Sequence, residues 1–309
     1  MTSTLTLSSR ETYRDLLVQA MPADDRLVCL DSDTGLFLGQ DFGTAAARYV
    51  NLGIAEQNLL GTAAGLARCG RIPFVNTMAT FASTRALESV KIDLAYANLP
   101  VRIAATHGGL SAGNLGPTHH SLEDLAIMRL LPNMTVLVPA QASATVELFE
   151  QCLDLPGPVY LRLGRSATPD LPVDAPPIRI GQAQPLRDGD DLLLVACGPY
   201  PVLLALQAAE SLAAAGIEAA VLNMHTVKPL DEAALTATGA PVVTVEEHWR
   251  SGGLGSAVAE ALGETGRRVL RVGVADRFVS MAGDQQFLLE QAGVTVEAIQ
   301  SAALRALKR

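Results

Sequence analysis

Short apolar runs rich in β-branched residues alternate with longer helical segments along nearly the whole chain, and this alternation constrains the fold most. The strand candidates of the first half are RLVCL, RIPFVNT, PVRIAATH, MTVLVPA and PVYLRL. Segments between them, such as SRETYRDLLVQA and SATVELFEQCLD, carry apolar residues at helical spacing. Strands that alternate with helices form mainly parallel sheets covered by helices. We therefore predict an α/β fold.

A proline-rich segment divides the chain into two predicted domains. Residues 166–190, SATPDLPVDAPPIRIGQAQPLRDGD, show neither the strand period nor the helix period, which is typical of an extended linker. The alternation occupies residues 1–165 and resumes in residues 191–309 with LLLVACG, IEAAVLNM and APVVTVEEH. Each domain is predicted to be a three-layer α/β structure with a mainly parallel sheet.

Charge and cysteine content exclude several classes of function. A net charge of -9 offers no basic face to nucleic acid or to an anionic membrane, so we expect neither as a partner. The four cysteines lie far apart and lack the spacing of metal ligands. No targeting segment or long apolar run is found, so we expect a cytoplasmic location.

Glu56 places a carboxylate in the otherwise apolar, glycine-punctuated segment YVNLGIAEQNLLGTAAGLARCG. A glutamate in the first turn of a helix interacts favourably with the helix dipole, which would explain its presence without any function. The spacing alone favours that explanation over a functional one.

Three of the five histidines, His107, His119 and His120, follow the strand that ends at Thr106. Ligands of open α/β sheets bind beyond the carboxyl ends of strands, so this glycine-rich loop is a candidate binding site. Ser121 with Asp124 resembles a capping box that would begin the next helix. The residues therefore leave a binding loop and an ordinary surface loop equally open.

Several stretches together resemble a known family in order and spacing. The pyrimidine-binding domain of transketolases is similar to NLGIAEQNLLGTAAGLA, ATFASTRALESV, ATHGGLSAGNLGPTHHSLEDLAIMRLLPNMTVLVPA and GPVYLRLGRS. The C-terminal domain of that family resembles LNMHTVKPLD and VEEHWRSGGLGSAVAEAL. The family's pyrophosphate-binding domain, with its GDG motif and later asparagine, is not found. The resemblance implies the C-terminal subunit of a split transketolase, a thiamine diphosphate-dependent enzyme.

The resemblance implies four residues that hold the cofactor or act in catalysis. Glu56 matches the glutamate that contacts N1′ of the aminopyrimidine ring, and Phe81 matches the aromatic residue that stacks on this ring. Met78 stands where the family has a second phenylalanine. His119 matches the histidine beside the donor's reacting carbon, so Glu56 and His119 are the predicted catalytic residues. His120 stands where glutamine is common.

The resemblance also implies a site for an anionic group of the substrate. Arg10, His107 and Arg165 match the residues that bind the distal phosphate of a sugar. Guanidinium groups suit this task because their planar donors meet two oxygens at once. Gly35 stands where a serine commonly completes the site, so its shape is expected to differ.

The loop SAGNLGPTHH departs most from the family. Asn114 and Leu115 replace an acidic pair whose aspartate binds a substrate hydroxyl. Since a leucine side chain neither donates nor accepts a hydrogen bond, we expect an unusual substrate, with Leu115 among the substrate-binding residues.

The implied activity is transfer of a two-carbon ketol unit from a ketose donor, expected to be phosphorylated, to an aldehyde acceptor in carbohydrate metabolism. The partner would be an N-terminal subunit with the GDG…N motif and the magnesium ligands, in an α2β2 heterotetramer. This chain itself would hold no metal. The alternatives are an acyloin-forming enzyme, the β-type subunit of a 2-oxoacid dehydrogenase, or a non-catalytic regulatory paralogue. The intact Glu56 argues against the last, and the sequence leaves the substrates, the pathway and the partner open.

Overall fold

The computed structural model describes residues 8–308, in which the predicted alternation produces two sheets flanked by helices. The first seven residues of the predicted first domain and Arg309 lie outside this range. The strands are Leu27–Asp31 (β1), Tyr49–Asn51 (β2), Ile72–Met78 (β3), Arg102–Thr106 (β4), Thr135–Leu137 (β5), Val159–Arg162 (β6), Gln184–Arg187 (β7), Leu192–Cys197 (β8), Ala219–Asn223 (β9), Thr226–Lys228 (β10), Val242–Trp249 (β11) and Val269–Val274 (β12). The α-helices are Ser9–Ala20 (α1), Glu56–Arg68 (α2), Ala79–Ser83 (α3), Leu87–Ser89 (α4), Asp124–Leu130 (α5), Ala142–Cys152 (α6), Pro199–Ala213 (α7), Glu232–Thr236 (α8), Leu254–Ala261 (α9), Gln285–Ala292 (α10) and Val296–Leu307 (α11).

The two sheets are mainly parallel, which confirms the predicted α/β class. The first sheet has the order β10-β5-β6-β4-β3-β1-β2, and only β10 runs antiparallel to its neighbour. The second sheet has the order β12-β11-β8-β9-β7, with β7 as its antiparallel edge. Parallel strands of this kind are covered on both faces, which explains the nearly continuous apolar runs in the sequence.

Alternate residues of β1 pack against different helices, so the first sheet forms a three-layer structure. Leu27 and Cys29 belong to the apolar cluster that includes the buried residues of α1 and α6. Val28 and Leu30 belong to the cluster that includes the buried face of α2. The latter cluster continues through α5 and α9 to β8, so a single apolar core joins the two sheets.

The segment predicted to be a linker contains a strand. Residues 184–187 form β7, whose residues alternate between buried and more exposed positions at the edge of the second sheet. Pro185 lies in this strand, and proline is tolerated at a sheet edge because fewer amide donors are needed there. The second edge strand, β10, comes from the C-terminal part of the chain but pairs with β5 of the first sheet.

The segment from Phe81 to Ala97 does not form one continuous helix. It divides into α3, the short α4 and a π-helical segment, Val90–Tyr96. Helix α1, in contrast, follows its predicted bounds and is capped by Ser8, whose hydroxyl oxygen accepts a hydrogen bond from the Glu11 amide at 3.2 Å. Among the helices of residues 8–308, none is both long and apolar enough to cross a membrane.

Candidate functional site

Three of the predicted cofactor and catalytic residues form a continuous series of contacts with a fourth residue, Arg85. An Nη atom of Arg85 donates to an Oε atom of Glu56 at 2.9 Å. The same guanidinium lies over the ring of Phe81, 4.3 Å from its centre. The Phe81 and His119 rings meet edge to face with their centres 5.6 Å apart. The order along this contact series is therefore Glu56, Arg85, Phe81, His119.

The carboxylate of Glu56 is almost fully buried, with 2% of the residue exposed, at the first position of α2. The preceding residue, Ala55, has no side chain that could cap the helix. Glu56 therefore does lie at the start of a helix, a position in which a glutamate needs no functional explanation. Its ion pair with Arg85 is an additional contact that the helix dipole does not require.

The sequence-based prediction missed Arg85. Its spacing of four residues from Phe81, which on a continuous helix would place both on one face, was the available signal, although α3 ends at Ser83 and Arg85 lies in the turn that follows. Met78 ends β3, is half-buried and directly precedes α3, the helix that contains Phe81.

The three residues predicted to bind an anionic group converge at the carboxyl ends of β4 and β6. Arg10 lies in the first turn of α1, His107 directly follows β4 with φ of 61°, and Arg165 follows β6. The Gly164 amide donates to the Ser9 hydroxyl at 2.8 Å, which joins α1 to the segment after β6. These connections explain why residues so distant in sequence lie together.

Their electrostatics suit an anion. Burial, and then the charges of Arg10 and Arg165, lower the pKa of His107 to about 3, so its ring is neutral at physiological pH. Burial lowers the pKa of Arg10 from its ordinary value, and its buried Nε atom has no hydrogen-bond partner. Within residues 8–308, neither arginine forms an ion pair with a carboxylate. Two guanidinium groups without a counter-charge can bind a phosphate, sulfonate or carboxylate.

The loop between β4 and α5 is closed at its base. Gly109 and Ser121 form an antiparallel bridge through backbone hydrogen bonds of 3.0 and 2.8 Å. At the tip, Leu115 is 41% exposed and Asn114 is also exposed. Gly35, the other departure from the family, has φ of 72°, and a side chain there would meet no atom within 4 Å.

The two histidines of this loop have different surroundings. The Nδ1 atom of His119 lies 2.8 Å from the Thr118 hydroxyl, and its ring is half-buried. His120 is buried, and burial lowers the pKa of its ring. His119 is thus the more accessible of the two histidines.

The predicted capping box of Ser121 and Asp124 is wrong. Helix α5 begins at Asp124, but this carboxylate is fully buried and accepts two hydrogen bonds from Arg162, at 2.8 and 2.9 Å, and one from Tyr160 at 2.7 Å. The Ser121 hydroxyl has no partner. A bidentate ion pair with strand β6 therefore takes the place of the predicted local cap.

A residue of the second sheet fixes the loop from the side. Glu247 of β11 is buried and accepts a hydrogen bond from the Leu110 amide at 2.6 Å. Both carboxylate oxygens also accept from Gln285, at 2.8 and 3.0 Å. A side chain at Gly109 would come within 2.6 Å of this carboxyl group, so only glycine fits there. In the sequence, the two adjacent glutamates that follow an apolar run in VVTVEEH were the signal for this residue, and it was overlooked.

Two sequence profiles match the chain. The profile described as the transketolase pyrimidine-binding domain covers residues 6–170, and that of the transketolase C-terminal domain covers residues 181–299. No group of three or more histidine, cysteine, aspartate or glutamate side chains within residues 8–308 is arranged to hold a metal ion.

Two relatives that align over nearly their whole length are named as transketolase subunits. The 6-deoxy-6-sulfo-D-fructose transketolase subunit SqwH of Clostridium sp. (strain MSTE9) is 42% identical over 97% of this chain and 94% of that protein. A subunit of the apulose-4-phosphate transketolase of Phocaeicola vulgatus is 38% identical over 98% of both chains. A solved split-gene transketolase, described as an inactive β4 tetramer, is 42% identical over 98% of this chain and 99% of that chain, with a TM-score of 0.87. This protein therefore belongs to the transketolase family, as a subunit of the split type.

Proposed function

We propose that the chain, together with a second subunit, transfers a two-carbon ketol unit from a ketose to an aldehyde by means of thiamine diphosphate. The contact series of Glu56, Arg85, Phe81 and His119 carries the proposal. It places a buried carboxylate, an aromatic ring and an imidazole side by side, as the family's chemistry requires.

The residues fit the aminopyrimidine part of the cofactor. Phe81 already binds one flat, cationic group on its ring, so it can take a flat heterocycle. Glu56 can accept or share a proton at N1′ because its carboxylate is held in place within the protein. When bound, thiamine diphosphate supplies a carbon nucleophile for the donor's carbonyl group. His119 would hydrogen-bond a hydroxyl beside the reacting carbon.

The partner would hold the other end of the cofactor. We propose that its GDG…N motif binds the diphosphate through a magnesium ion, with two such pairs forming an α2β2 heterotetramer. The support is the sequence identity of 42% and 38% to two proteins named as transketolase subunits.

An anionic sugar is the proposed substrate. Within residues 8–308, Arg10 and Arg165 form no ion pair with a carboxylate, and the names of the two relatives specify a sulfo sugar and a sugar phosphate. Leu115 would leave one hydroxyl-binding position without a hydrogen-bonding group, which favours a sugar that differs from ordinary aldose phosphates.

Reconstitution tests the proposal. The chain is mixed with its N-terminal partner, magnesium and thiamine diphosphate, and ketol transfer is measured for wild type, Glu56→Gln and Glu88→Gln. The exposed Glu88 is the matched control for loss of a carboxylate. We expect a loss on the order of 10²-fold or more for Glu56→Gln and no loss for the control.

Two results would contradict this function. Turnover by Glu56→Gln at the wild-type rate would remove the assigned role of the carboxylate. Release of carbon dioxide from pyruvate, without transfer from any ketose, would instead support an acyloin-forming or 2-oxoacid dehydrogenase reaction.

A further inference from the structure

A cavity of about 450 Å³ on the second sheet is lined by three arginines that come from different parts of the chain. Arg250 follows β11, Arg271 lies in β12 and Arg305 lies in the last turn of α11. Asp276 is the single carboxylate among the lining residues. Three guanidinium groups against one carboxylate give the cavity a positive charge, in a chain whose net charge is -9.

Among the residues that the structure describes, the three arginines form no ion pair, unlike many other arginines of this protein. Seven other arginines within residues 8–308 pair with aspartate or glutamate within 4.0 Å, namely Arg14, Arg26, Arg48, Arg85, Arg129, Arg162 and Arg187. None of the cavity arginines does so. Gathering like charges at one concave surface costs free energy that a bound anion would recover.

Arg271 is held in position by other groups. Its guanidinium donates to the Arg250 carbonyl at 2.9 Å and to the Ser256 hydroxyl at 3.1 Å. A side chain at Gly255 would come within 2.9 Å of the Arg271 side chain, so glycine leaves room for it. A guanidinium fixed in this way loses less conformational freedom when it binds an oxyanion.

Trp249 forms one wall of the cavity and also connects it to the loop that follows β4. The Trp249 amide donates to the Leu122 carbonyl at 3.1 Å, two residues beyond His120. The Trp249 ring also lines a second cavity, of about 290 Å³, together with His120 and Glu123. A ligand that contacts Trp249 would therefore touch a residue that is hydrogen-bonded to Leu122, in the segment that carries the candidate catalytic residue His119.

From these observations we propose that the cavity binds a small phosphorylated molecule with at least two negative charges. Its volume lies within the range of small-molecule sites, and three guanidinium groups suit two phosphate-type groups. Neither the ketol transfer nor the anion site of Arg10 and Arg165 assigns a role to these residues. The site thus stands whether or not the proposed activity is correct.

Trp249 is the only tryptophan of the chain, so its fluorescence reports on the cavity directly. The full chain is titrated with inorganic pyrophosphate and, separately, with ADP in a phosphate-free buffer. We expect a saturable change in emission with a dissociation constant below about 1 mM, which rises with KCl concentration.

Paired variants locate the site. Arg250→Gln with Arg305→Gln removes two exposed charges from the cavity, whereas Arg10→Gln with Arg165→Gln removes two charges from the other anion site. We expect the first pair to weaken binding at least about tenfold and the second to leave it unchanged. Circular dichroism checks folding, and Arg305→Gln alone serves if the double variant unfolds.

Each other outcome overturns the proposal. No saturable change up to about 10 mM of either probe would mean that the arginines form a solvated surface only. An equal loss in both double variants would indicate general attraction of anions, and a loss confined to the Arg10 and Arg165 variant would place the anion at that site instead.

Discussion

Replacing Glu247 by glutamine should make the protein more stable above neutral pH. The carboxyl group of Glu247 is completely buried between the two domains, and burial raises its pKa from 4.5 to about 7. The nearby Arg162 lowers this pKa, but less than burial raises it. Holding the carboxylate ionised in the folded protein is therefore unfavourable at pH 8.

The pKa difference sets the size of the effect. Between pH 4.5 and 7 the unfolded chain has released a proton that the folded protein still binds, so the free energy of unfolding falls as pH rises. Above pH 7 the loss is complete, and a pKa difference of about 2.5 corresponds to about 3 kcal/mol. Glutamine does not ionise and avoids this loss.

The hydrogen bonds of Glu247 can survive the substitution. A glutamine oxygen still accepts from the Leu110 amide, whereas its NH2 group would face the NH2 group of Gln285. The Oε1 atom of Gln285 is buried without a partner, so rotation of that amide by 180° supplies an acceptor. The rotated NH2 group then occupies the buried position in which Oε1 had no partner, so one donor stays unpaired, which costs about 1–3 kcal/mol at every pH.

Urea unfolding at pH 5 and pH 8 measures the effect. We expect the stability of Glu247→Gln relative to wild type to be about 2–3 kcal/mol higher at pH 8 than at pH 5, and the variant to be more stable than wild type at pH 8 by up to about 2 kcal/mol. Glu88→Gln should show no such pH dependence because Glu88 is exposed. The reasoning is refuted if the variant is less stable than wild type at pH 8, or if the difference is the same at both pH values.

Three further predictions concern the candidate site. Arg85→Gln should let the reconstituted complex bind thiamine diphosphate up to about fivefold more tightly, because a half-exposed ion pair with Glu56, worth about 0–1 kcal/mol, no longer has to be broken; weaker binding by calorimetry would make Arg85 a cofactor ligand. Leu115→Asp should raise kcat/KM for hydroxylated over deoxygenated acceptors by about ten- to a hundredfold, since one hydrogen bond to a charged group is worth about 1.5–3 kcal/mol; an unchanged ratio contradicts the assignment. Asp124→Asn should lower the free energy of unfolding by about 3–5 kcal/mol, because the buried Arg162 charge loses its partner; a loss below about 1 kcal/mol in urea would contradict that role.

The central strands were predictable because each is buried on both faces. Strands such as β1, β4 and β8 consist entirely of buried residues, and their apolar runs therefore stand out in the sequence. The edge strands β2, β7 and β10 have three or four residues each and mix polar or proline residues with apolar ones. Each of these strands is positioned by pairing with another strand elsewhere in the chain, and the local sequence pattern carries no information on that pairing.

The candidate site likewise contains residues that the sequence predicted and contacts that it did not. Glu56, Phe81 and His119 were predicted from their resemblance to a family. In the structure Arg85 contacts both Glu56 and Phe81, and Phe81 contacts His119. The sequence-based prediction assigned Asp124 to a local helix cap, but its partner Arg162 is 38 residues away. Local spacing favours a nearby partner, whereas a buried carboxylate takes the strongest donor that the fold brings to it.

The same logic explains why the C-terminal part of the chain matters to a site whose predicted residues all precede residue 166. The loop that carries Leu115 and His119 is joined to β11 by Glu247, and the guanidinium of Arg162 donates both to Asp124 and to the Glu247 carbonyl at 3.0 Å. The position of the loop is therefore determined by both sheets together. A domain without any predicted catalytic residue thus helps to set the geometry of this candidate loop, because a carboxyl group near the end of its strand supplies the acceptor for a loop amide.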